Sequence, residues 1–266
     1  MLVSVIIPTY KKEKTIAKNI ERIHKVMQET RWDFELIIVD DGSPDNTFKE
    51  AKKVKKNNVS IVGYKTNRGK GYAVRYGMAR AKGDYVAFID DSMEIDPNGI
   101  SMVLEHMQWY EADIIVGSKR HPASKTNFSW IRRLYSWGYH LITKFLFRVP
   151  VKDTQAGLKV FKREVLEHVL PRLVIKQFAF DVELLAVSKY LGFRRIYEAP
   201  VSIHLNESDS TFDKFLFLSP HIRKMLLDTL AVFYRMYLLR YYHPDSKQLW
   251  EYDEELQLRV NTGELE

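Results

Sequence analysis

Apolar and polar positions follow two alternating periods along the first half of the chain. Short runs rich in valine and isoleucine, VSVIIP, FELIIVDD, VSIVGY, DYVAFIDD and ADIIVGS, have strand length and little polar interruption. Between the first two runs, Ile16, Ile20, Ile23 and Met27 recur every three or four residues, which predicts a helix with one apolar stripe. Strands separated by helices predict βα units, and strands apolar on both faces predict a sheet covered on both sides. The expected fold class is α/β, a mostly parallel sheet flanked by helices.

The rhythm changes after Ser118, where GSKRHPASKTNFSWIRRLYSWGYH is basic and aromatic. Strand and helix patterns then return in DTQAGLKVFKREVLEHVL and FAFDVELLAVSKYLGF. Residues 1–211 are expected to form one domain, with 1–118 and 119–211 as its halves. Residues 212–243 read as apolar helix broken by Arg223, Lys224, Asp228, Arg235 and Arg240. Each such charge costs about 2.5–3.5 kcal/mol at a bilayer centre, so a surface-lying or subunit-contacting helix is expected in place of a membrane span. Residues 244–266 are polar and are expected to form a peripheral tail. The apolar N-terminus lacks a basic leader and reaches Pro8 early, so it reads as a buried first strand.

Composition narrows the partners. With 45% apolar residues in 266 there is material for a sizeable core. The formal charge of +7 points to an anionic partner. Cysteine is absent, which excludes disulfides and thiolate metal sites and fits a reducing compartment. Nucleic acid is disfavoured, because the acidic strand ends would repel phosphate backbones.

In a parallel sheet the carboxyl ends of the strands line the ligand crevice. Here they carry Pro8 and Tyr10, then Asp40 and Asp41, then Asn67, Gly69 and Gly71, then Asp90 and Asp91, then Ser118 and Lys119. Paired acids at the end of VDDGSPDNT suit a nucleobase N–H and ribose hydroxyls, while Asp45 suits a helix start. NRGKGYAVRYG matches neither the dinucleotide GxGxxG pattern nor a P-loop, which disfavours a dehydrogenase or P-loop kinase. Its glycines, with Arg68, Lys70 and Arg75, form a basic turn entering a helix that suits a diphosphate. In FIDDSMEIDP the oxygens of Asp90, Asp91 and Glu94 suit Mg²⁺ or Mn²⁺, and Asp96 suits a helix cap ahead of Pro97. A solvated acidic turn is the alternative for that cluster.

VSVIIPTY, VDDGSPDNT, NRGKGYAVRYG, DYVAFIDDSMEIDP, IIVGSKR and DTQAGLKVF followed by FAFDVELL occur in the order seen in family 2 inverting glycosyltransferases of GT-A (Rossmann-like) fold. Over about residues 1–210 the chain resembles the dolichyl- and polyprenyl-phosphate hexose synthases. The resemblance implies a nucleotide-sugar donor bound by residues 1–118, with Mg²⁺ or Mn²⁺, and a lipid-phosphate acceptor on the side of 119–211. Pro8, Tyr10 and Asp41 would hold base and ribose, with Asp40 in support. Asn67, Gly69, Lys70 and Gly71 would hold the diphosphate. Asp90 would stand at the metal motif with Asp91 and Glu94 close by. Lys119, and Arg132 or Arg133 with Ser136, would grip the acceptor phosphate.

Two departures stand out: Lys11-Lys12 replaces the usual Asn-Glu, and Ser92 replaces the second metal-motif aspartate. Asp181 and Glu183 are expected to be helix-start structure on the acceptor side, and Asp153 and Gln155 to order a loop over the donor sugar. The forms NRGKG and DTQAGLK favour UDP-glucose, with GDP-mannose next. A nucleotide-sugar-binding protein without transferase activity and a transferase with a non-lipid acceptor are the alternatives. The expected location is cytoplasmic and peripheral to a membrane, and a homodimer stays open.

Overall fold

The computed structural model describes residues 1–124, 130–203, 220–246 and 248–265, with side chains described outside 130–135, 220–221, 248 and 262–265. Each apolar run becomes a strand: β1 (Leu2–Thr9), β2 (Asp33–Asp41), β3 (Val59–Tyr64), β4 (Tyr85–Ile89) and β5 (Ile114–Ser118). Two more follow, β6 (Leu158–Lys162) and β7 (Ile196–Pro200). They form a seven-stranded sheet in the order β3-β2-β1-β4-β6-β5-β7. All neighbours are parallel except β6, which runs antiparallel between β4 and β5. The sheet is therefore mostly parallel, as the periodicity predicts, and covered on both faces.

One face packs against α1 (Ile16–Gln28) and α4 (Gly99–Trp109). Ile16, Ile20, Ile23 and Met27 are fully buried there against Val5, Ile7 and Ile89. The other face carries α3 (Lys70–Arg80), α6 (Arg163–Val169) and α7 (Phe180–Tyr190) over Ile6, Val39, Phe88 and Val116. The short helix α2 (Thr47–Ala51) has Asn46, not Asp45, at its cap position; Asp45 accepts the Thr47 N–H at 3.1 Å from just outside the helix. Ahead of α4 the cap position is Asn98, so Asp96 and Pro97 lie before the helix, where Asp96 accepts the Asn98 N–H at 2.9 Å.

The basic aromatic stretch after β5 contains a helix, α5 (Trp130–Phe147), which meets α8 (Pro220–Phe233) through a Tyr139–Thr229 hydroxyl contact of 2.9 Å. A π-helical turn, Tyr234–Leu238, continues α8. Of the segment expected to be an interfacial helix, 212–219 lies outside the described residues. No helix among those described is long and apolar enough to cross a membrane.

The C-terminal segment departs from the tail read in the sequence. It folds as an antiparallel hairpin, β8 (Gln248–Asp253) and β9 (Leu258–Leu265). The hairpin closes the α3 side of the core. Leu256 at its turn is buried, the Tyr241 hydroxyl donates to Asn261 O at 2.9 Å, and Arg172 lies over the Trp250 ring. Leu256, Leu258 and Val260 supply the apolar contact that the charged neighbours mask in sequence.

Candidate functional site

The carboxyl edge brings β1, β2 and β4 side by side, with Thr9 in register with Asp40. Adjacent residues of a strand point to opposite faces, so Asp40 and Asp41 do different work. Asp41 is buried and organises the glycine turn. Its carboxylate accepts from the Tyr64 hydroxyl at 2.8 Å, Asn67 Nδ2 at 2.9 Å, Arg68 N at 2.8 Å and Gly69 N at 3.0 Å. Asp40 accepts from Ser43 N at 3.2 Å, and its Oδ1 is buried without a hydrogen bond. Burial raises the Asp40 pKa, with Asp45 and Asp41 adding repulsion against the bonds from Ser43.

Of the expected base-and-ribose set, the structure places Pro8 and Tyr10 beside this corner. Tyr10 is exposed, with Lys11 Nζ over its ring at 5.1 Å. At Lys11-Lys12 it is the main chain that ties β1 to the segment after β2: Lys11 N donates to Ser43 Oγ at 3.0 Å and Lys12 N to Thr47 Oγ1 at 2.7 Å, bonds that do not depend on the lysine side chains.

The glycines of the turn are steric requirements. Gly69 has φ +100°, and a Cβ there would lie 2.7 Å from Lys176 O; one on Gly71 would lie 2.5 Å from Phe180 Cβ. The turn thus sits directly on the start of α7.

At the end of β4, Asp90 N donates to Gly157 O at 2.9 Å, and a Cβ on Gly157 would come 2.4 Å from Asp90 Oδ2. Both carboxylate oxygens of Asp90 contact Lys70 Nζ, at 2.8 and 2.9 Å. Asn19 Nδ2 holds Asp91 O at 2.9 Å. The Thr9 hydroxyl lies beside Asp91, yet neither Thr9 Oγ1 nor Asp91 Oδ2 completes a hydrogen bond of good geometry. Burial, then repulsion from Asp90, pushes the Asp91 pKa up to about 6. Ser92 Oγ accepts Glu94 N at 3.4 Å.

Among the described residues no three acidic or histidine side chains gather as a cation cage. Asp90, Asp91 and Glu94 therefore do not form a preassembled triad: Asp90 holds Lys70, and Glu94 holds Lys119 Nζ at 3.4 Å. The orphan oxygen of Asp91 next to Asp90 still fits a hard cation completed by diphosphate oxygens.

The acceptor-side residues converge in part. Lys119 N donates to Asp153 Oδ2 at 3.0 Å, and Asp153 N and Lys152 N donate to Glu198 Oε1 at 3.1 and 2.8 Å. Asp153 thus fixes the turn after β5. Ser136 is held by Arg120, whose Nε and Nη2 lie 3.1 and 2.7 Å from its Oγ. Arg120 adjoins Lys119 but stands in no motif of its own in the sequence. The side chains of Arg132 and Arg133 lie outside the described residues. Gln155 Nε2 donates to Phe178 O at 3.3 Å and lies 3.1 Å from Met225 Sδ, linking its loop to α7 and α8.

Asp181 corrects the sequence reading. It makes no helix cap; its Oδ1 pairs with Lys159 Nζ at 2.6 Å, and its Oδ2 lies 3.8 Å from Lys70 Nζ. Glu183 is fully buried and accepts from Val174 N at 3.0 Å, Ile175 N at 2.8 Å and the Tyr242 hydroxyl at 2.6 Å. LKVFK reads as ordinary strand alternation, so the sequence gives no sign of the role of Lys159.

The fold and this edge have relatives. The profile of "Glycosyl transferase family 2" matches residues 4–170. The dolichyl-phosphate beta-glucosyltransferase of Dictyostelium discoideum is 31% identical over 80% of this chain and 69% of its own length. That of Saccharomyces cerevisiae is 30% identical over 77% and 67%. Among solved structures, glucosyl-3-phosphoglycerate synthase of Mycobacterium tuberculosis, crystallised with Mn²⁺, UDP and phosphoglyceric acid, superposes with a TM-score of 0.63 at 19% identity, covering 98% of this chain and 86% of its own. Mannosyl-3-phosphoglycerate synthase of Rubrobacter xylanophilus gives 0.66 at 16% identity over 94% and 80%. These two show a shared GT-A-like fold. With its profile match spanning more than half the sequence and relatives aligned over two thirds of their length, the chain belongs to glycosyl transferase family 2.

Proposed function

We propose that the protein is a hexosyltransferase that moves glucose, with inversion, from UDP-glucose to dolichyl or polyprenyl phosphate at a membrane surface. One observation supports this most: at one sheet edge, the glycine turn tied down by Asp41 meets the Asp90–Lys70 pair, and the Lys119–Glu94 pair stands beside them. A diphosphate and a second phosphate group are the ligands such alternating charge suits. The names of the relatives favour glucose and dolichyl phosphate.

In this reading Tyr10 and Asp40 border the base and ribose, with Asp41 holding the turn that approaches the diphosphate. Lys70 supplies positive charge to the diphosphate. Asp90 and Asp91 would hold Mg²⁺ or Mn²⁺, which when bound offsets the charge developing on the leaving diphosphate. Lys119 and Arg120, with Ser136 and the arginines of α5, orient the acceptor phosphate. That phosphate is already anionic near neutral pH, so placement matters more than proton removal and no strong general base is needed.

Exposed Trp137 and Phe145 of α5 and Leu227, Leu230 and Leu238 of the α8 segment offer a surface for the lipid end, on the cytoplasmic side of a membrane. A second reading, transfer to a small phosphorylated acceptor, is favoured by the phosphoglycerate bound in the Mycobacterium tuberculosis structure.

Thermal denaturation with Mn²⁺ and UDP- or GDP-sugars, followed by product formation with dolichyl phosphate in micelles or with 3-phosphoglycerate, tests the proposal. Stabilisation by UDP-glucose and lipid-linked glucose are expected. Binding without any product would leave a nucleotide-sugar-binding protein, and product with 3-phosphoglycerate alone would exclude the lipid acceptor.

A further inference from the structure

Four charged side chains behind the sheet edge form a closed circuit. Asp90 holds Lys70, Lys70 lies 3.8 Å from Asp181, and Asp181 pairs with Lys159 at 2.6 Å. Lys159 Nζ then donates to Ala156 O at 2.7 Å, and the next residue, Gly157, accepts Asp90 N at 2.9 Å. The signs alternate around the ring. Phe88 lies within it, with Lys159 Nζ at 5.1 Å and Lys70 Nζ at 5.6 Å from its centroid.

The two halves differ in exposure. The Lys159 side chain is 0% exposed and that of Asp181 is 6%, whereas Lys70 and Asp90 retain 28% and 32%. The inner pair is sealed, and the outer pair borders the site.

An unpaired buried carboxylate is costly and draws in whatever cation it can reach. Lys159 satisfies Asp181 and so prevents it from capturing Lys70. Lys70 is then held chiefly by Asp90, at the rim, where solvent and incoming phosphate oxygens compete. We propose that Lys159 is a positioning residue: by neutralising Asp181 it keeps Lys70 exchangeable between Asp90 and the donor diphosphate, so that Asp90 is released for the cation when the donor arrives. Burial lowers the Lys159 pKa, which Asp181 offsets in part. The inference deepens the donor and cation reading given above and rests on it.

The test measures two ligands separately. In Lys159→Met, Asp181 should take Lys70 from Asp90, so Mn²⁺ binding without nucleotide should tighten and UDP binding in EDTA should weaken, each by about tenfold, the weight of one charge-assisted hydrogen bond. General damage to the fold would weaken both. In a Lys70→Met background the same Lys159→Met change should leave Mn²⁺ affinity where it was, because the effect runs through Lys70. An undiminished effect in that background, or movement of both ligands in one direction, would overturn the inference while leaving the transferase reading intact.

Should Lys159→Met not fold by circular dichroism, Lys159→Met/Asp181→Asn removes both inner charges together. Both affinities should then stay within about twofold of the unmodified protein, since a neutral pair drops out as a unit. A larger shift in either overturns the inference. If the unmodified protein binds neither Mn²⁺ nor UDP, the functional reading fails and this inference with it.

Discussion

The Tyr72 hydroxyl donates to Glu255 Oε2 at 3.1 Å, joining the first turns of α3 to the hairpin turn 183 residues later. Arg68 completes the junction, donating to the Tyr72 hydroxyl at 2.7 Å and ion-pairing with Glu255, while Arg80 Nη2 donates to Glu255 O at 2.7 Å. Because Arg68 N is also bound to Asp41, the hairpin braces the glycine turn from outside. Glu255→Ala should weaken UDP binding about three- to tenfold, a typical loss for hydrogen bonds to a charged group near the surface, with little change in turnover at saturating donor. Calorimetric titration and saturation kinetics check both parts.

Gly157→Ala places a methyl 2.4 Å from Asp90 Oδ2. The strand end must shift to accept it. Stability should fall by about 1–3 kcal/mol, whereas turnover should fall on the order of a hundredfold, because sub-ångström misplacement costs more in chemistry than in folding. Urea denaturation alongside steady-state assays separates the two; equal, small losses would show that the position of Asp90 is unimportant.

Asp91 makes the metal-free protein pH-sensitive. Its pKa is about 6 in the fold, pushed up by burial, against about 3.9 in an unfolded chain. The folded form therefore binds the proton more tightly, so this contribution to stability is complete below about pH 4 and is lost as pH rises through 6. Asp91→Asn should be more stable than the parent by roughly 1–2 kcal/mol at pH 8, after allowance for partial exposure, with the advantage gone near pH 4. Chemical denaturation in EDTA at the two pH values gives the comparison.

Glu183 joins three parts of the chain, through Val174 N, Ile175 N and the Tyr242 hydroxyl. Glu183→Ala strands these donors in the core and should cost about 3–5 kcal/mol. Glu183→Gln, which keeps an acceptor oxygen, should cost less than half of that. Thermal unfolding monitored by circular dichroism provides the ranking.

Leu227 is 65% exposed and Leu230 53%. Replacing both by aspartate should leave UDP binding unchanged while reducing sedimentation with anionic liposomes severalfold, since apolar burial and attraction to the surface are lost together. Unaltered sedimentation would move the lipid surface elsewhere on the molecule.

The strands and the site edge were readable because β-branched runs announce buried parallel strands and their polar ends announce the crevice. The direction of β6 was not, since an apolar run such as LKVF carries no arrow. Nor could sequence divide the labour within VDD: Asp40 and Asp41 are adjacent letters, and only the pleat sends one to the glycine turn and leaves the other with an unbonded oxygen. Lys159, Glu183 and Glu255 act through partners 22, 59 and 183 residues away, at distances along the chain where local pattern carries no signal. The hairpin is hidden for a related reason: Leu256 alone is fully buried among charged neighbours at its turn.

The antiparallel insertion of β6 between β4 and β5 also bears on how the protein is made. Both β4 and β5 leave a ribosome before β6 exists, and they cannot pair with each other without occupying the place it must take. Long-range closure of this kind is slow and leaves strand edges exposed meanwhile. Because Gly157 forms the bed of Asp90, a nascent chain halted near residue 150 can hold four contiguous strands, β3-β2-β1-β4, yet lacks the support of Asp90. The support beneath Asp90 is thus assembled only after most of the sheet has been synthesised.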